Sequence, residues 1–257
     1  MLFSTIALLL TSCSGDDENN TDIDPTLPKT ITYNYPDFPQ ENSKSTITYD
    51  GNKIVSIEKL GSKTVYTYDG NRIIKQEVFD LLDSEKITKK KDIAYTYENG
   101  KLKTRLFREG FTTEYPDGRY IYKSVYTHTS DDVVSYIYYT VNATTKVETK
   151  SSEGNVTYKD GNMVKEQEII GSSVSTRVYE YDSKNNPLKN IIGFDLLLNE
   201  TPFSINNISK INRTETEFPD PVNYIYAYIY NDNNYPVKQT SFAGDGVSIE
   251  YEIEYTY

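Results

Sequence analysis

An all-β fold, an antiparallel meander of consecutive hairpins forming one large curved sheet or barrel-like structure, is predicted by three features of this chain. Its 257 residues include 25 tyrosines and no tryptophan, and many of the tyrosines fall in Tyr-x-Tyr pairs whose two rings share one face of a strand. The pairs run into turns rich in Asp, Asn and Gly, the residues that tolerate the positive φ of tight hairpins. The unit recurs along the chain, and strands joined by such short connections pair antiparallel.

Ahead of the sheet, Leu2 to Leu10 is apolar apart from Ser4 and Thr5. That is the length of a signal-peptide core and well short of the ~20 residues that span a bilayer. Leu10-Thr11-Ser12-Cys13 resembles the lipobox of bacterial lipoproteins, which implies cleavage after residue 12 and acylation of Cys13. Met1-Leu2-Phe3-Ser4 lacks the Lys or Arg of a signal-peptide start, so translation is expected to begin a few residues upstream. Ser14-Gly15-Asp16-Asp17-Glu18 supplies three acids and no base. This resembles the export signal of surface lipoproteins in Bacteroidota, with Ser14, Asp16, Asp17 and Glu18 as its residues. Residues 1–12 are therefore read as a signal peptide and 13–28 as a lipidated acidic tether. A flexible tether of ~15 residues averages roughly 20 Å end to end.

Residues 29–257 form the β-domain. Its repeat copies are Ile47-Thr48-Tyr49-Asp50-Gly51-Asn52-Lys53-Ile54, Tyr66 to Ile73, Tyr95 to Leu102, Val156 to Met163, Tyr179 to Leu188 and Tyr228 to Val237. Each copy predicts a hairpin, with Tyr66 and Tyr68 on one face and Val65 and Thr67 on the other. Tyr120-Ile121-Tyr122 and Tyr136-Ile137-Tyr138 are strands with weaker turn signals. Asn190 to about Arg213 lacks the rhythm, and Phe194-Asp195-Leu196-Leu197-Leu198 predicts a short helical turn capping one open end of the sheet. The final strand places Tyr251, Ile253, Tyr255 and Tyr257 on one face and Glu250, Glu252 and Glu254 on the other. It is read as an amphipathic strand in water, because strands rich in Lys and Glu make no lipid-facing band. Over residues 46–257 the repeat resembles the YD or Rhs type. It also resembles repeats of uncharacterised envelope lipoproteins of Bacteroidota, some with a porin-like sheet, which implies an architecture and no reaction.

The net charge of −11 repels phosphate backbones, which excludes nucleic acid as a partner. Lys86 to Lys91 is read as the solvated flank of a strand. His128 is the only histidine and shares a strand face with Tyr126, so a triad or histidine metal centre lacks partners. Glu166 and Glu168 share a face, as a glycoside hydrolase pair could, but so does the wet side of any strand. No catalytic residue, metal site or cofactor is expected. Calcium at Asn231 to Asn234 or Asp131-Asp132 is a minor alternative, since Asn and Asp populate turns for backbone reasons.

The expected function is therefore non-enzymatic. The chain reads as an outer-membrane lipoprotein, anchored through its lipid and displayed at the cell surface, with the periplasmic face as the alternative location. It would bind an extracellular glycan, peptide or protein through its tyrosine rings, the candidates being Tyr136, Tyr138, Tyr226, Tyr228 and Tyr230. The alternatives are an assembly subunit docking through sheet edges or the 190–213 insertion and, third, a glycan hydrolase.

Overall fold

The computed structural model describes residues 26–82, 87–200, 204–218 and 220–257. The segment expected to be a signal peptide, Cys13, Ser14, Asp16, Asp17, Glu18 and most of the expected tether lie outside the described residues. The sheet begins with β1 (Thr30–Asn34), β2 (Ser43–Asp50), β3 (Lys53–Lys59), β4 (Ser62–Asp69), β5 (Arg72–Asp80), β6 (Thr88–Glu98), β7 (Lys101–Glu109) and β8 (Tyr120–His128). It continues with β9 (Val133–Val141), β10 (Glu148–Lys159), β11 (Asn162–Ile170), β12 (Ser173–Tyr181), β13 (Ile208–Glu215), β14 (Val222–Tyr230), β15 (Pro236–Phe242) and β16 (Ile249–Thr256). Every strand pairs with its chain neighbours, and β16 pairs with β1, closing a 16-strand barrel. Closure sets Thr30 opposite Thr256, with their hydroxyls 2.8 Å apart.

The repeat has a structural meaning beyond hairpin formation. In each of the six copies the second tyrosine sits opposite the first residues of the returning strand: Tyr49 with Ile54, Tyr68 with Ile73, Tyr97 with Leu102, Tyr158 with Met163, Tyr181 with Ile208 and Tyr230 with Pro236. A register shift precedes each of these pairs. Such a bulge bends the strand and disrupts the local hydrogen-bond ladder. A tyrosine of a following unit takes up that backbone: Tyr97 Oη donates to Ile73 O at 2.7 Å, Tyr181 Oη to Met163 O at 2.6 Å and Tyr257 Oη to Pro236 O at 2.8 Å. Successive units are thus tied through the phenol, which explains tyrosine where phenylalanine would pack equally well. Tyr97→Phe is expected to destabilise the barrel by about 1–2 kcal/mol, because it leaves a half-buried carbonyl without its donor. Denaturant titration of the two proteins measures the difference.

Five of the six copies form the predicted hairpin, and Tyr179 to Leu188 does not. After Tyr181 the Asp182 carboxylate accepts the backbone N–H of Lys184 and of Asn207, which turns the chain out of the sheet. The irregular stretch runs over 182–207, and residues 208–213, expected within it, belong to β13. The stretch plugs the barrel at the end that carries the Tyr-x-Tyr turns. Ile191, Phe194 and Leu197 bury themselves against Ile47, Ile54, Ile73 and Leu102, and a 3-10 turn covers Asp195–Glu200. Gly193 adopts φ 84°, and a Cβ there would lie 2.8 Å from Asn71 O.

The alternation aims the tyrosines inward and leaves a mixed face outward. Along β14, Tyr224, Tyr226, Tyr228 and Tyr230 are half-buried while Asn223, Ile225, Ala227 and Ile229 are exposed. One outer row runs Ile229, Lys238, Glu254, Thr32 and Lys44 across β14, β15, β16, β1 and β2. Another runs Thr127, Ser135, Asn155, Gln167 and Thr176 across β8 to β12. These rows do not make the apolar belt that faces lipid in a membrane barrel.

A tyrosine-lined cavity as the candidate functional site

Inside the barrel, β14, β16 and β1 turn their rings toward a cavity of about 290 Å3. Tyr33, Tyr226, Tyr228, Tyr251 and Tyr255 line its walls, and Asn186, Pro187 and Leu188 of the plug contribute to its lining. Each element arrives for a local reason: strict alternation aims every second residue of β14 and β16 inward, and barrel closure brings β1 beside β16. Tyr33 and Tyr35 both approach the Tyr251 ring, with centroids 6.3 and 5.7 Å apart.

The polar groups here are largely engaged with one another. Tyr228 Oη donates to Ile208 O at 2.8 Å. Asn186 Oδ1 accepts from Leu188 N at 2.8 Å, and Asn207 Nδ2 reaches Asn185 O at 3.1 Å and the Asp182 carboxylate. Tyr230 stacks beneath Tyr228 with centroids 5.8 Å apart and holds Asp182 through its hydroxyl, so it is a latch of the plug. Burial pushes the phenols of Tyr226, Tyr228 and Tyr255 up, reinforced by neighbouring tyrosines and, for Tyr226 and Tyr228, by Glu250 and Asp182 respectively. None of the lining residues carries a charge.

The structure brings Tyr226 and Tyr228 into this cavity and sets Tyr230 below it. Tyr136 and Tyr138, the other two candidates, are on β9, five strands round the barrel. Tyr136 is buried in the core, and Tyr138 stacks on Tyr122 with centroids 5.9 Å apart. The five candidates therefore fall into two groups, on β9 and on β14, on separate parts of the barrel wall. Tyr33, Tyr255 and Gln239 were not marked by the sequence as site residues; Gln239 stands opposite Tyr228 on β15 and Tyr255 lies on the next strand, whereas Tyr33 joins them only through barrel closure.

The other chemistry-bearing residues have structural partners. His128 Nε2 meets Leu102 O at 2.9 Å. Glu166 accepts from Arg177 Nη1 at 2.9 Å and Tyr179 Oη at 3.1 Å, and Glu168 accepts from Ser152 Oγ at 2.9 Å. Asn231 Oδ1 accepts the N–H groups of Asn233 and Tyr235, and Asp131 pairs with Lys101 at 3.0 Å. Among the described residues no three His, Cys, Asp or Glu side chains cluster as a metal site, and no helix is long and apolar enough to cross a membrane.

No protein-family model and no curated protein matches this chain. Among solved structures it is similar to a porin-like protein from Bacteroides vulgatus, at TM-score 0.62 and 15% identity over 90% of this chain and 98% of the other. A porin-like protein from Bacteroides uniformis aligns over 89% of this chain and 97% of its own, at TM-score 0.49 and 9% identity. At such identity the first likeness is one of fold: a closed antiparallel barrel of porin-like type.

Proposed function

We propose that this chain is a non-enzymatic envelope lipoprotein whose barrel stands in water, tethered through Cys13 to the outer membrane and displayed at the cell surface. Its task in this reading is to bind an extracellular ligand in the tyrosine-lined cavity. The observation that carries the proposal is the placement of rings and charges: aromatic rings face the lumen while Lys238, Glu254 and Lys44 stand in one row on the outer wall. A Lys placed in the lipid midplane costs about 2–4 kcal/mol, so a wall of this kind favours a lipid tether over insertion. The start of β1, the end of β16 and the plug share one end of the barrel. A tether from Cys13 sets that plugged end toward the membrane and the opposite end away from it.

Rings inside a lumen reach a small molecule, or the end unit of a glycan or peptide, and not the flank of a folded protein. Ligand pockets of this kind are concave and mostly apolar, with a few polar groups. The assembly-subunit alternative loses its two surfaces, since closure leaves no free sheet edge and the insertion is folded into the barrel end.

Protease shaving of intact cells tests display. The native protein is expected to be lost, and a variant with Asp16, Asp17 and Glu18 replaced by Ala to be protected. Protection of the native protein would place it on the periplasmic side. A screen of glycans and peptides, read by tyrosine fluorescence, tests binding; the absence of any reproducible hit would remove the ligand-binding reading.

A further inference from the structure

We infer that the cavity takes a compact alkylated ammonium group; the inference rests on reading the cavity as a binding site and names the ligand class. Three classes of guest can be compared against its lining. A sugar ring carries several hydroxyls, each of which loses stability when buried without a partner. Here the Tyr228 hydroxyl is engaged by Ile208 O, and the Tyr226 and Tyr251 hydroxyls bond each other. Tyr255 Oη reaches Gln239 Oε1 at 3.5 Å, and the Asn186 and Asn207 amides are engaged within the plug. Ile31, Ile208, Ile211, Ile253, Leu188 and Pro187 offer only carbon side chains. A buried sugar would have to break those hydrogen bonds to satisfy its own hydroxyls.

An anionic guest fares worse. No lining side chain is cationic, and two carboxylates stand just behind the wall. Asp182 is held by Tyr230 and Asn207 beneath the cavity, and Glu250 accepts from Ser241 Oγ at 3.3 Å on the neighbouring strand.

A tertiary or quaternary ammonium reverses each objection. Its methyl groups ask for no acceptor and pack on rings and aliphatic carbons. Its charge is attracted by the electron-rich faces of tyrosine, an effect of about 0.5–2 kcal/mol or more as the site desolvates. The carboxylates behind the wall add attraction, and the chain's net charge of −11 raises the local concentration of cations. A cavity of about 290 Å3 holds a trimethylammonium head with a short stem. The same head reaches the barrel as a free cation or on a methylated lysine of a peptide.

Calorimetric titration of the intact chain with choline, its neutral isostere 3,3-dimethylbutanol, a trimethyllysine peptide, methyl glucoside and acetate tests this. Choline is expected to bind about tenfold more tightly than the isostere, with Tyr226→Leu weakening it about fivefold or more. The peptide against choline distinguishes the two sources of the head. Equal binding of choline and the isostere would overturn the inference, as would glucoside or acetate binding where choline does not. If those guests depend on Tyr226, the cavity still stands as a binding site. Binding by none of the five, or binding indifferent to Tyr226→Leu, would sink the cavity reading and the inference with it. The isostere comparison uses the unaltered chain, so it decides even if the variant misfolds.

Discussion

Raised from about pH 9 to about pH 12, the barrel is expected to unfold in one cooperative step, with tyrosinate absorbance appearing at the same midpoint as the loss of β-structure. Burial raises the phenol of fifteen described tyrosines above its ordinary value, among them Tyr33, Tyr66, Tyr158, Tyr228 and Tyr255. Tyr68 and Tyr97 are each pushed up to about 12 by burial. A group whose folded pKa is raised gives its full stability below its unfolded pKa, near 10, and loses it as pH rises from there toward the folded value. One unit above 10, each phenol that ionises on unfolding removes about 1.4 kcal/mol. The four most buried, Tyr66, Tyr158, Tyr228 and Tyr255, would together remove about 6 kcal/mol, a large share of an ordinary domain's stability. A gradual titration near pH 10 with the β-structure intact would show that the rings are in water.

Gly154→Ala is expected to destabilise the barrel by about 2–4 kcal/mol. Gly154 sits mid-strand between Tyr136 and Glu168. A Cβ there would lie 2.2 Å from the backbone oxygen of Gln167 and 2.6 Å from the Tyr136 ring. The ring can rotate away, but the carbonyl belongs to the β10–β11 ladder and can yield only if the strands part. Gly244→Ala is the control, since a Cβ there meets nothing within 4 Å, and its effect should stay within about 0.5 kcal/mol. Denaturant titrations of the two variants give the comparison; similar midpoints would mean that the strands at Gly154 yield without loss.

Much of the fold was legible because its signals are local. Period-two alternation placed Tyr66 and Tyr68 on one face, and Asp-Gly and Asn-Gly marked the turns. The bulge before Tyr49, Tyr68 and Tyr97 was not legible, because a register shift is a property of two strands. Lys89 to Lys91 read as a solvated flank, yet Lys89 Nζ lies 2.7 Å from the Asp92 carboxylate and 4.2 Å from the centre of the Phe111 ring. Asp92 is fully buried and also takes Arg108 at 2.8 Å. Burial alone would raise this carboxyl, and the hydrogen bonds from Arg108 and Lys89 outweigh it and hold it low. Phe111 lies between β7 and β8, beyond the reach of any pattern in residues 86–91. The cavity was half legible: alternation put Tyr226 and Tyr228 on one face, but only closure puts Tyr33 beside Tyr251.

That closure also divides the molecule's assembly in time. Fifteen of its sixteen strand pairings join neighbours in sequence, so all sixteen strands can zip in succession, whereas the last pairing joins Thr30 to Thr256 across 226 residues. Loop-closure entropy makes such a remote pairing slow relative to the hairpins. Until it forms, the meander is an open ribbon with β1 and β16 unpaired at its two margins. Each margin can accept the complementary margin of another molecule as readily as its own. At high concentration, slow closure therefore competes with end-to-end exchange between chains, and the yield of monomeric barrel on refolding should fall as protein concentration rises.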